Sequence, residues 1–550
     1  MMANRKSKNN LWTTITFFLI LLYVLFLVIP LFGLLKSSFI VEGKGFSLEY
    51  FAKFFGEAYY SQTLLNSLKV TISVTLLSLI IAFPLAYVMS TIQIKGSIVA
   101  QILILISSMS PPFIGAYSWI LLLGRSGAIT KALRNVGIVG IDIYGFKGIL
   151  IVLTLQMVPL IYMYLMGAMK NIDKSLLEAS ESLGTSGIKR VFKLLVPLLV
   201  PTILSGSLLV FMKALADFGT PMLIGEGYQT VPVMIYNQFV GEIGGDTAFA
   251  SAIAVIVIIF AIAIFIIQKY ISERMAFSMS ALNPIEPKKA KGAKSVFAHI
   301  FVYGYIILST VPLLYVIYTS FKNTRGKIFV DGLSLNSYRM AFDRLGNSIR
   351  NSFVLALISI ILVLIIGVLV AYVTVKKKNK LTASLDILSM LPYIVPGSVM
   401  GIALLSTFSS KPIMISGTAL IMIVAFTIRR LPYTIRSSAA SLYQITPSIE
   451  EAAESLGASP QKVFVKIILP MMKSGVISGA ILSWIFILSE LSTSILLYSP
   501  STKTMTVSIY TEVLRGNYGI AASLSTILIG LTVISLAIFF KVSGKKEISM

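Results

Sequence analysis

The sequence predicts an all-α polytopic membrane protein built from two parallel repeats of six transmembrane helices. Three observations support this fold class. Hydrophobic residues make up 56% of the 550-residue chain and charged residues only 12%, whereas soluble domains are about half apolar and one quarter charged. Apolar segments of about 20 residues, the length of a membrane helix, recur along the whole chain. Short motifs of the first half return in the second half at a nearly constant spacing.

The apolar segments lack the two-residue alternation of membrane β-strands, so we expect helices. Gly, Pro and charged residues divide them into twelve candidate spans. The first six lie at roughly 11–35, 66–91, 97–123, 147–169, 197–216 and 247–268, and the second six at roughly 299–320, 351–375, 382–408, 412–435, 470–490 and 518–541. The first span has a basic start but no small-residue cleavage site, so we expect it to remain uncleaved. Prolines near 111 and 392–396 are expected to kink the third span of each half.

The chain is strongly basic, with 46 Lys and Arg against 22 Asp and Glu. In a soluble protein this balance would suggest nucleic acid. Here the basic residues concentrate in the segments that share a side with the N-terminus, as cytoplasmic segments of membrane proteins do. We therefore expect both termini in the cytoplasm, a lipid bilayer around the spans, and no nucleic-acid partner.

Cysteine is absent from the sequence, and His299 is its single histidine. This composition excludes disulfides, thiol catalysis, and zinc or iron–sulfur sites made from Cys and His. No cofactor and no resident metal is expected, and no clustered nucleophile and base suggest an enzyme. A metal that passes through the protein would have to meet oxygen ligands.

The halves are two copies of one unit. The heptapeptide EASESLG at 178–184 returns as EAAESLG at 451–457, 273 positions later, and the same displacement relates Pro197 to Pro470 and Asp217 to Glu490. We expect a first repeat at 1–277, a polar and mobile cytoplasmic linker at 278–298, and a second repeat at 299–550. Two such repeats, related by a pseudo-twofold axis along the membrane normal, enclose a pathway at their interface.

A polar stretch interrupts each half between its fourth and fifth spans, near 173–193 and 446–466. Both stretches carry start and stop signals of helices, namely Asp173 and Gly184 in the first copy and Thr446, Pro447 and Gly457 in the second. Each short helix has a stripe of small and apolar residues. A helix this short is marginal alone, so the stripe must pack either on the protein's own spans or in a groove of a soluble partner.

This stretch resembles the signature loop of permease subunits of ATP-binding-cassette importers. The second copy matches the pattern fully, with Glu451, Ala452, Ala453, Gly457, Ile467, Leu469 and Pro470, whereas the first copy departs conservatively at Ser180, Leu194 and Val196. The fused two-copy arrangement resembles the ferric-iron branch of these permeases. In that branch the equivalent stretches read ADFGTP at 216–221 and ELSTS at 490–494.

The resemblance implies the type I importer permease fold, in a bacterial inner membrane. It also implies two copies of an ATP-binding-cassette ATPase and an extracytoplasmic substrate-binding protein as partners. The residues that would couple to the ATPase are Glu178, Ala179, Gly184, Glu451, Ala452 and Gly457. The chain is not expected to hydrolyse ATP itself, because its Gly-Lys pairs at 43–44 and 326–327 lack the remaining residues of a phosphate-binding loop.

Three ionisable residues are expected inside the spans: Lys213, Asp217 and Glu490. The repeat symmetry would bring Asp217 and Glu490 to opposite walls of one pore, with Ser492 and Thr493 beside the latter. Lys213 precedes Asp217 by four residues, so an ion pair on one helix face is the alternative to substrate contact. Glu490 has no such lysine, which makes it the better candidate for the pathway.

Other functions remain open at this point. A secondary transporter with twelve helices is the main alternative class, although the loop at 93–97 lacks the Gly, Asp and Arg residues typical of the major facilitator family. Ferric iron is the first substrate that the resemblance implies. Thiamine, phosphonates and polyamines use similar permeases.

Overall fold

The computed structural model describes residues 2–41, 45–140, 142–241, 246–274 and 283–543. A short hairpin of strands β1 (Ile40–Val41) and β2 (Gly45–Phe46) interrupts the helices of the first half. These helices are α1 (Met2–Tyr23), α2 (Ile29–Phe39), α3 (Glu49–Gly56), α4 (Ala58–Thr91), α5 (Ser97–Met109), α6 (Pro112–Leu123), α7 (Ala128–Asn135), α8 (Gly145–Lys170), α9 (Lys174–Ser182), α10 (Gly187–Arg190), α11 (Val196–Leu215), α12 (Gly219–Ile224), α13 (Val231–Val240) and α14 (Thr247–Arg274).

The second half has a hairpin of its own, β3 (Lys322–Arg325) and β4 (Ile328–Leu333). Its helices are α15 (Ala293–Ser320), α16 (Asn336–Lys376), α17 (Lys380–Ile394), α18 (Gly397–Phe408), α19 (Ala419–Tyr443), α20 (Pro447–Ser455), α21 (Pro460–Val463), α22 (Leu469–Met471), α23 (Lys473–Leu488), α24 (Ser494–Leu497), α25 (Met505–Leu514) and α26 (Tyr518–Ser543).

The all-α polytopic fold class is confirmed, with a difference in the number of apolar spans. Among the described residues, eight helices are long and apolar enough to cross a membrane, or eleven if three bent helix pairs each count as one span. The remaining predicted span, the tenth in chain order at roughly 412–435, falls on α19. This helix carries arginines at 429, 430 and 436, which lower its hydropathy. Arg429 and Arg430 are therefore ionisable residues inside a predicted span, in addition to Lys213, Asp217 and Glu490.

The third span of each half is a pair of helices with a sharp bend, as the prolines predicted. The bends measure 97° between α5 and α6 and 111° between α17 and α18. Ser110 and Val395 adopt extended backbone immediately before Pro111 and Pro396. A proline disfavours the helical conformation of the residue before it and donates no backbone hydrogen bond, so the helix stops there.

A π-helical turn opens the fifth span of both repeats, at Val191–Leu195 and at Phe464–Ile468. These turns lie 273 positions apart, the displacement of the sequence repeat. Pro197 and Pro470 follow two residues later. A proline ring clashes with the carbonyl group four residues upstream, and the wider π turn relieves that clash. The two repeats therefore share this π turn as well as the order of their helices.

The first span of each half packs against the other half. The helices α1 and α2 pack against α17 and α18, and the ring of Trp12 lies 4.6 Å from the ring of Tyr372. In the opposite direction, α15 packs against α5 and α6, and the hydroxyl of Tyr305 donates to the carbonyl of Leu155 at 2.8 Å. The two repeats are therefore interlocked rather than placed side by side.

The polar segment at 283–292 differs from the mobile tether that its composition predicted. The amide of Asn283 donates to Oδ2 of Asp173 at 3.0 Å, and its carbonyl accepts from the amide of Lys174 at 2.8 Å. Lys288 exchanges backbone hydrogen bonds with Thr91 and Gln93 at 3.0 and 2.9 Å. Composition could not reveal these contacts, because they use backbone groups. Residues 278–282 of the predicted linker lie outside the described part of the chain.

Candidate functional site

A cavity of about 170 Å³ lies at the centre of the interlocked repeats. Both repeats contribute equivalent elements to its wall: the bend of the third span, the middle of the fourth span, and the end of the fifth span. The polar and charged side chains of the wall are Ser110, Gln156, Lys213, Asp217, Tyr393, Arg429, Arg430, Tyr433, Ser489, Glu490 and Ser492. The sequence repeat thus brings Asp217 and Glu490 to one cavity, as the pseudo-twofold axis predicted.

The two carboxylates occupy the same kind of turn. Oδ1 of Asp217 accepts a hydrogen bond from the amide of Thr220 at 2.9 Å. Oε1 of Glu490 accepts one from the amide of Thr493 at 3.1 Å. Each carboxylate therefore satisfies a free amide at the start of the short helix that follows the fifth span. This structural task is shared by the two copies.

Glu490 also forms a buried ion pair with two arginines of α19. Its Oε1 lies 2.5 Å from Nη1 of Arg429, and its Oε2 contacts Nη2 of Arg430. The interpretation that Glu490 lacks a cationic neighbour is therefore corrected. The arginines stand 60 residues away in sequence, so a search for partners one helical turn away could not find them. Two adjacent arginines within an apolar segment were nevertheless a visible signal.

Lys213 makes a different contact from the one considered for it. Within the described part of the chain it forms no ion pair with Asp217, and its Nζ lies 4.2 Å from the ring centroid of Phe486. This distance is typical of a cation–π interaction. The ion pair that sequence spacing offered as an alternative role is therefore not formed.

Ser492 and Thr493 have separate positions. Ser492 lines the cavity. Thr493 is buried, where its hydroxyl accepts from Nη1 of Arg429 at 2.7 Å and donates to the carbonyl of Gly397 at 3.1 Å. Thr493 therefore connects the ion pair to the bend between α17 and α18, while Ser492 faces the space that a solute would occupy.

The expected pair of short helices between the fourth and fifth spans is present as α9 and α20. Both end at a glycine with a left-handed backbone, Gly184 at φ +75° and Gly457 at φ +85°. Asp173 caps α9, since its Oδ1 accepts from the amide of Ser175 at 2.9 Å. Thr446 stands at the start of α20 but makes no side-chain cap. The helices run over Lys174–Ser182 and Pro447–Ser455, and of the two start residues only Asp173 forms a side-chain cap.

A surface on each of these helices is free of the protein's own spans. Leu183 is 84% exposed and Leu456 is 90% exposed. The side chains Glu178, Ala179, Glu451 and Ala452 are exposed as well. Ala453 is buried in the core. One part of the stripe of small and apolar residues on α20 therefore packs on the chain itself, and the other part is exposed to solvent. Exposed leucines beside small residues are typical of a docking surface for another protein.

Different contacts hold α9 and α20 in place. Glu450 of α20 is buried, lies 3.4 Å from Nζ of Lys377, and accepts from the hydroxyl of Tyr372 at 3.2 Å. In α9 the backbone of Asn283 contacts Asp173 instead. On the exposed side of α9, Nζ of Lys174 lies 2.9 Å from Oε1 of Glu178, and the hydrogen bond that the ammonium group donates to this carboxylate raises the pKa of Lys174. The lysine therefore stays protonated at neutral pH.

Comparisons with known proteins agree with this arrangement. The family described as binding-protein-dependent transport system inner membrane component matches residues 1–277 and 363–545. The chain is 29% identical over 531 residues to the ferric transport system permease protein FbpB of Actinobacillus pleuropneumoniae, covering 95% of this chain and 77% of the relative.

Two further relatives cover most of the chain and about half of it, respectively. A putative ferric transport system permease protein of Haemophilus influenzae is 30% identical over 494 residues, covering 88% of this chain and 78% of the relative. A putative 2-aminoethylphosphonate transport system permease protein of Salmonella choleraesuis is 27% identical over 256 residues, covering 46% of this chain and 94% of the relative. The chain therefore belongs to the family of inner-membrane permease components of binding-protein-dependent ATP-binding-cassette importers.

Proposed function

We propose that this protein forms the membrane pathway of an importer for ferric iron. Membership in the permease family implies an ATPase and a substrate-binding protein as partners. Two relatives that cover most of the chain are named as ferric transport permeases. The central cavity, lined by equivalent elements of both repeats, is the observation that supports the pathway.

The exposed surfaces of α9 and α20 are the docking sites for two ATPase copies, one for each helix. The residues assigned to this contact are Glu178, Ala179 and Gly184 in the first copy, and Glu451, Ala452 and Gly457 in the second. Both termini and both helices lie in the cytoplasm in this arrangement. ATP hydrolysis takes place in the ATPase subunits, and this chain is a non-catalytic partner.

Transport then follows from movement of rigid bodies. Closure of the ATPase dimer on ATP draws α9 and α20 together and opens the cavity toward the binding protein, and hydrolysis reverses the movement. The repeats at 1–277 and 299–550 are the moving bodies, connected by the linker at 278–298. Asp217, Glu490 and Ser492 belong to the pathway wall, with Ser492 as a direct contact. Thr493 supports this wall through its hydrogen bonds with Arg429 and Gly397.

The test is uptake of radioactive iron by proteoliposomes that contain this chain with its ATPase, with the loaded binding protein outside and ATP inside. We expect uptake that stops when ATP or the ATPase is omitted. Uptake that continues without the ATPase would contradict the proposal and would favour a secondary transporter. Normal coupling after substitution of both Leu183 and Leu456 by Asp would contradict the docking surfaces.

A second substrate class has one observation in its favour. The cavity wall carries three cationic side chains and two carboxylates, a balance that suits an anion such as an aminoalkylphosphonate. A relative of one half of the chain is named for this substrate. Competition of 2-aminoethylphosphonate with iron in the uptake assay distinguishes the two substrates.

A further inference from the structure

We propose that ferric iron occupies the central cavity as a complex with an oxyanion, a phosphate or a carboxylate chelate, and not as a bare cation. The inference deepens the proposed function and rests on it. It depends on three features of the cavity wall: its net charge, the hydrogen bonds and ion pairs that its carboxylates already form, and the hydrogen-bond donors that remain without an acceptor.

The wall has a net positive charge. The cluster of Arg429, Arg430 and Glu490 contributes one positive charge, because two guanidinium groups face a single carboxylate. Lys213 and Asp217 add nothing to this sum, whether both are charged or both are neutral. A bare trivalent cation would meet repulsion from this wall in an apolar environment that screens charge weakly.

The carboxylates are engaged elsewhere. Glu490 binds both arginines and the amide of Thr493, and Asp217 binds the amide of Thr220. In the part of the chain that the structure describes, no three Asp, Glu or His side chains are placed to hold a metal ion. Ferric iron requires several hard oxygen ligands. These must therefore arrive with the metal.

The cavity also presents donors of the kind that an oxyanion requires. Arg429 and Arg430 line the cavity, and their buried Nε groups find no acceptor among the described residues. The ammonium group of Lys213 borders the cavity and contacts only the face of Phe486 among the described charged and aromatic partners. Guanidinium and ammonium groups bind phosphate and carboxylate oxygens strongly. A bound oxyanion would accept hydrogen bonds from these donors and would also neutralise the charge of the iron.

A double-label experiment with the complete transporter tests this inference. Proteoliposomes with ATP inside receive binding protein loaded with radioactive iron, in one series with labelled phosphate and in another with labelled citrate. We expect one of the two labels to enter with the iron, at about one oxyanion or more for each ion. The series that carries the label identifies the oxyanion.

A variant adds a second readout. Lys213→Gln should lower the entry of iron and of the oxyanion together by about tenfold, the loss typical of one charged hydrogen bond. Lys213→Arg should restore both. Lys541→Gln, at an exposed lysine outside the cavity, should change neither. If the Lys213→Gln complex fails to assemble, the ratio of labelled oxyanion to labelled iron that enters through the unmodified transporter still tests the inference.

The outcomes separate the two proposals. Iron that enters without either oxyanion label would overturn the inference and leave the proposed function intact. A transporter that moves no iron under any of these conditions, but does move 2-aminoethylphosphonate, would overturn the proposed function and the inference with it.

Discussion

Lys213 and Phe486 occupy equivalent positions of the two repeats, 273 residues apart, and they contact each other across the central cavity. The ammonium nitrogen lies 4.2 Å from the centroid of the ring. Equivalent residues can touch only where the pseudo-twofold axis passes between them. The pair therefore marks the place where the repeats meet, and it breaks their symmetry, since one copy contributes a cation and the other an aromatic ring.

The contact between these two residues should be measurable by a double-mutant cycle. Phe486→Leu and Lys213→Met each remove one partner, and a buried cation–π pair contributes about 1 to 2 kcal/mol. We expect a coupling energy of this size in the thermal unfolding of the detergent-solubilised permease. Phe353→Leu is the matched control, because the ring of Phe353 packs at a tilt of 48° against the ring of Trp484 rather than against a cation. Additive effects of Phe486→Leu and Lys213→Met would show that the contact is not formed.

The glycine that ends α20 provides a test of coupling without a steric change. Gly457 has φ +85°, and a Cβ atom there would meet no other atom within 4 Å. Gly457→Val should therefore act through backbone strain alone, at a cost of about 1 to 3 kcal/mol. The expected result is ATP hydrolysis that no longer drives uptake, with normal insertion into the membrane.

Asparagine tolerates the left-handed conformation better than other residues with a side chain. Gly457→Asn is therefore the matched control, and it should keep most of the uptake. Equal loss of uptake in both variants would show that the surface of the residue matters rather than its backbone, and full uptake by Gly457→Val would contradict the docking of α20.

The ion pair of Glu490 predicts a loss of stability together with a loss of transport. Glu490→Gln leaves two buried guanidinium groups without a counter-charge, which costs about 3 to 5 kcal/mol. Uptake should fall and the permease should unfold at a lower temperature in detergent. An unchanged melting temperature would mean that the arginines find other partners.

The other repeat suggests a rescue of this variant. The residue equivalent to Arg429 in the first copy is Gln156, 273 positions earlier. Adding Arg429→Gln to Glu490→Gln restores the original net charge of the cavity wall. The double variant should therefore regain part of the lost stability. A double variant less stable than Glu490→Gln alone would show that the bond from Arg429 to Thr493 matters more than the charge balance.

Much of the fold was predictable because its signals are local. Apolar length predicted the spans, proline predicted the bends beside Pro111 and Pro396, and glycine predicted the ends of the two cytoplasmic helices. The repeat added one piece of long-range information, that Asp217 and Glu490 line a common cavity. Each of these conclusions depends on a period or a displacement that can be read along the chain.

The remaining features depend on contacts between distant residues. The pairing of Glu490 with Arg430 joins two different spans, and the docking of 283–292 uses backbone groups that any sequence would provide. The first span of each half packs against the other half through apolar helix faces, and such faces look alike in sequence. A single sequence therefore indicated the elements of the site, whereas the partners within it required the structure.

The segment at 283–292 should support α9 through its contact with Asp173. Asp173 accepts one hydrogen bond from Ser175 and one from Asn283, so Asp173→Ala removes both a helix cap and the anchor of the segment. The cap alone contributes about 1 kcal/mol. We expect faster proteolysis at 283–292 and weaker coupling of ATP hydrolysis to uptake.

Thr446→Ala is the matched control, because Thr446 holds the equivalent position of α20 without a side-chain cap. Equal proteolysis of the two variants would show that the segment is held by its contacts with Thr91 and Gln93 instead, and that the first helix moves independently of it.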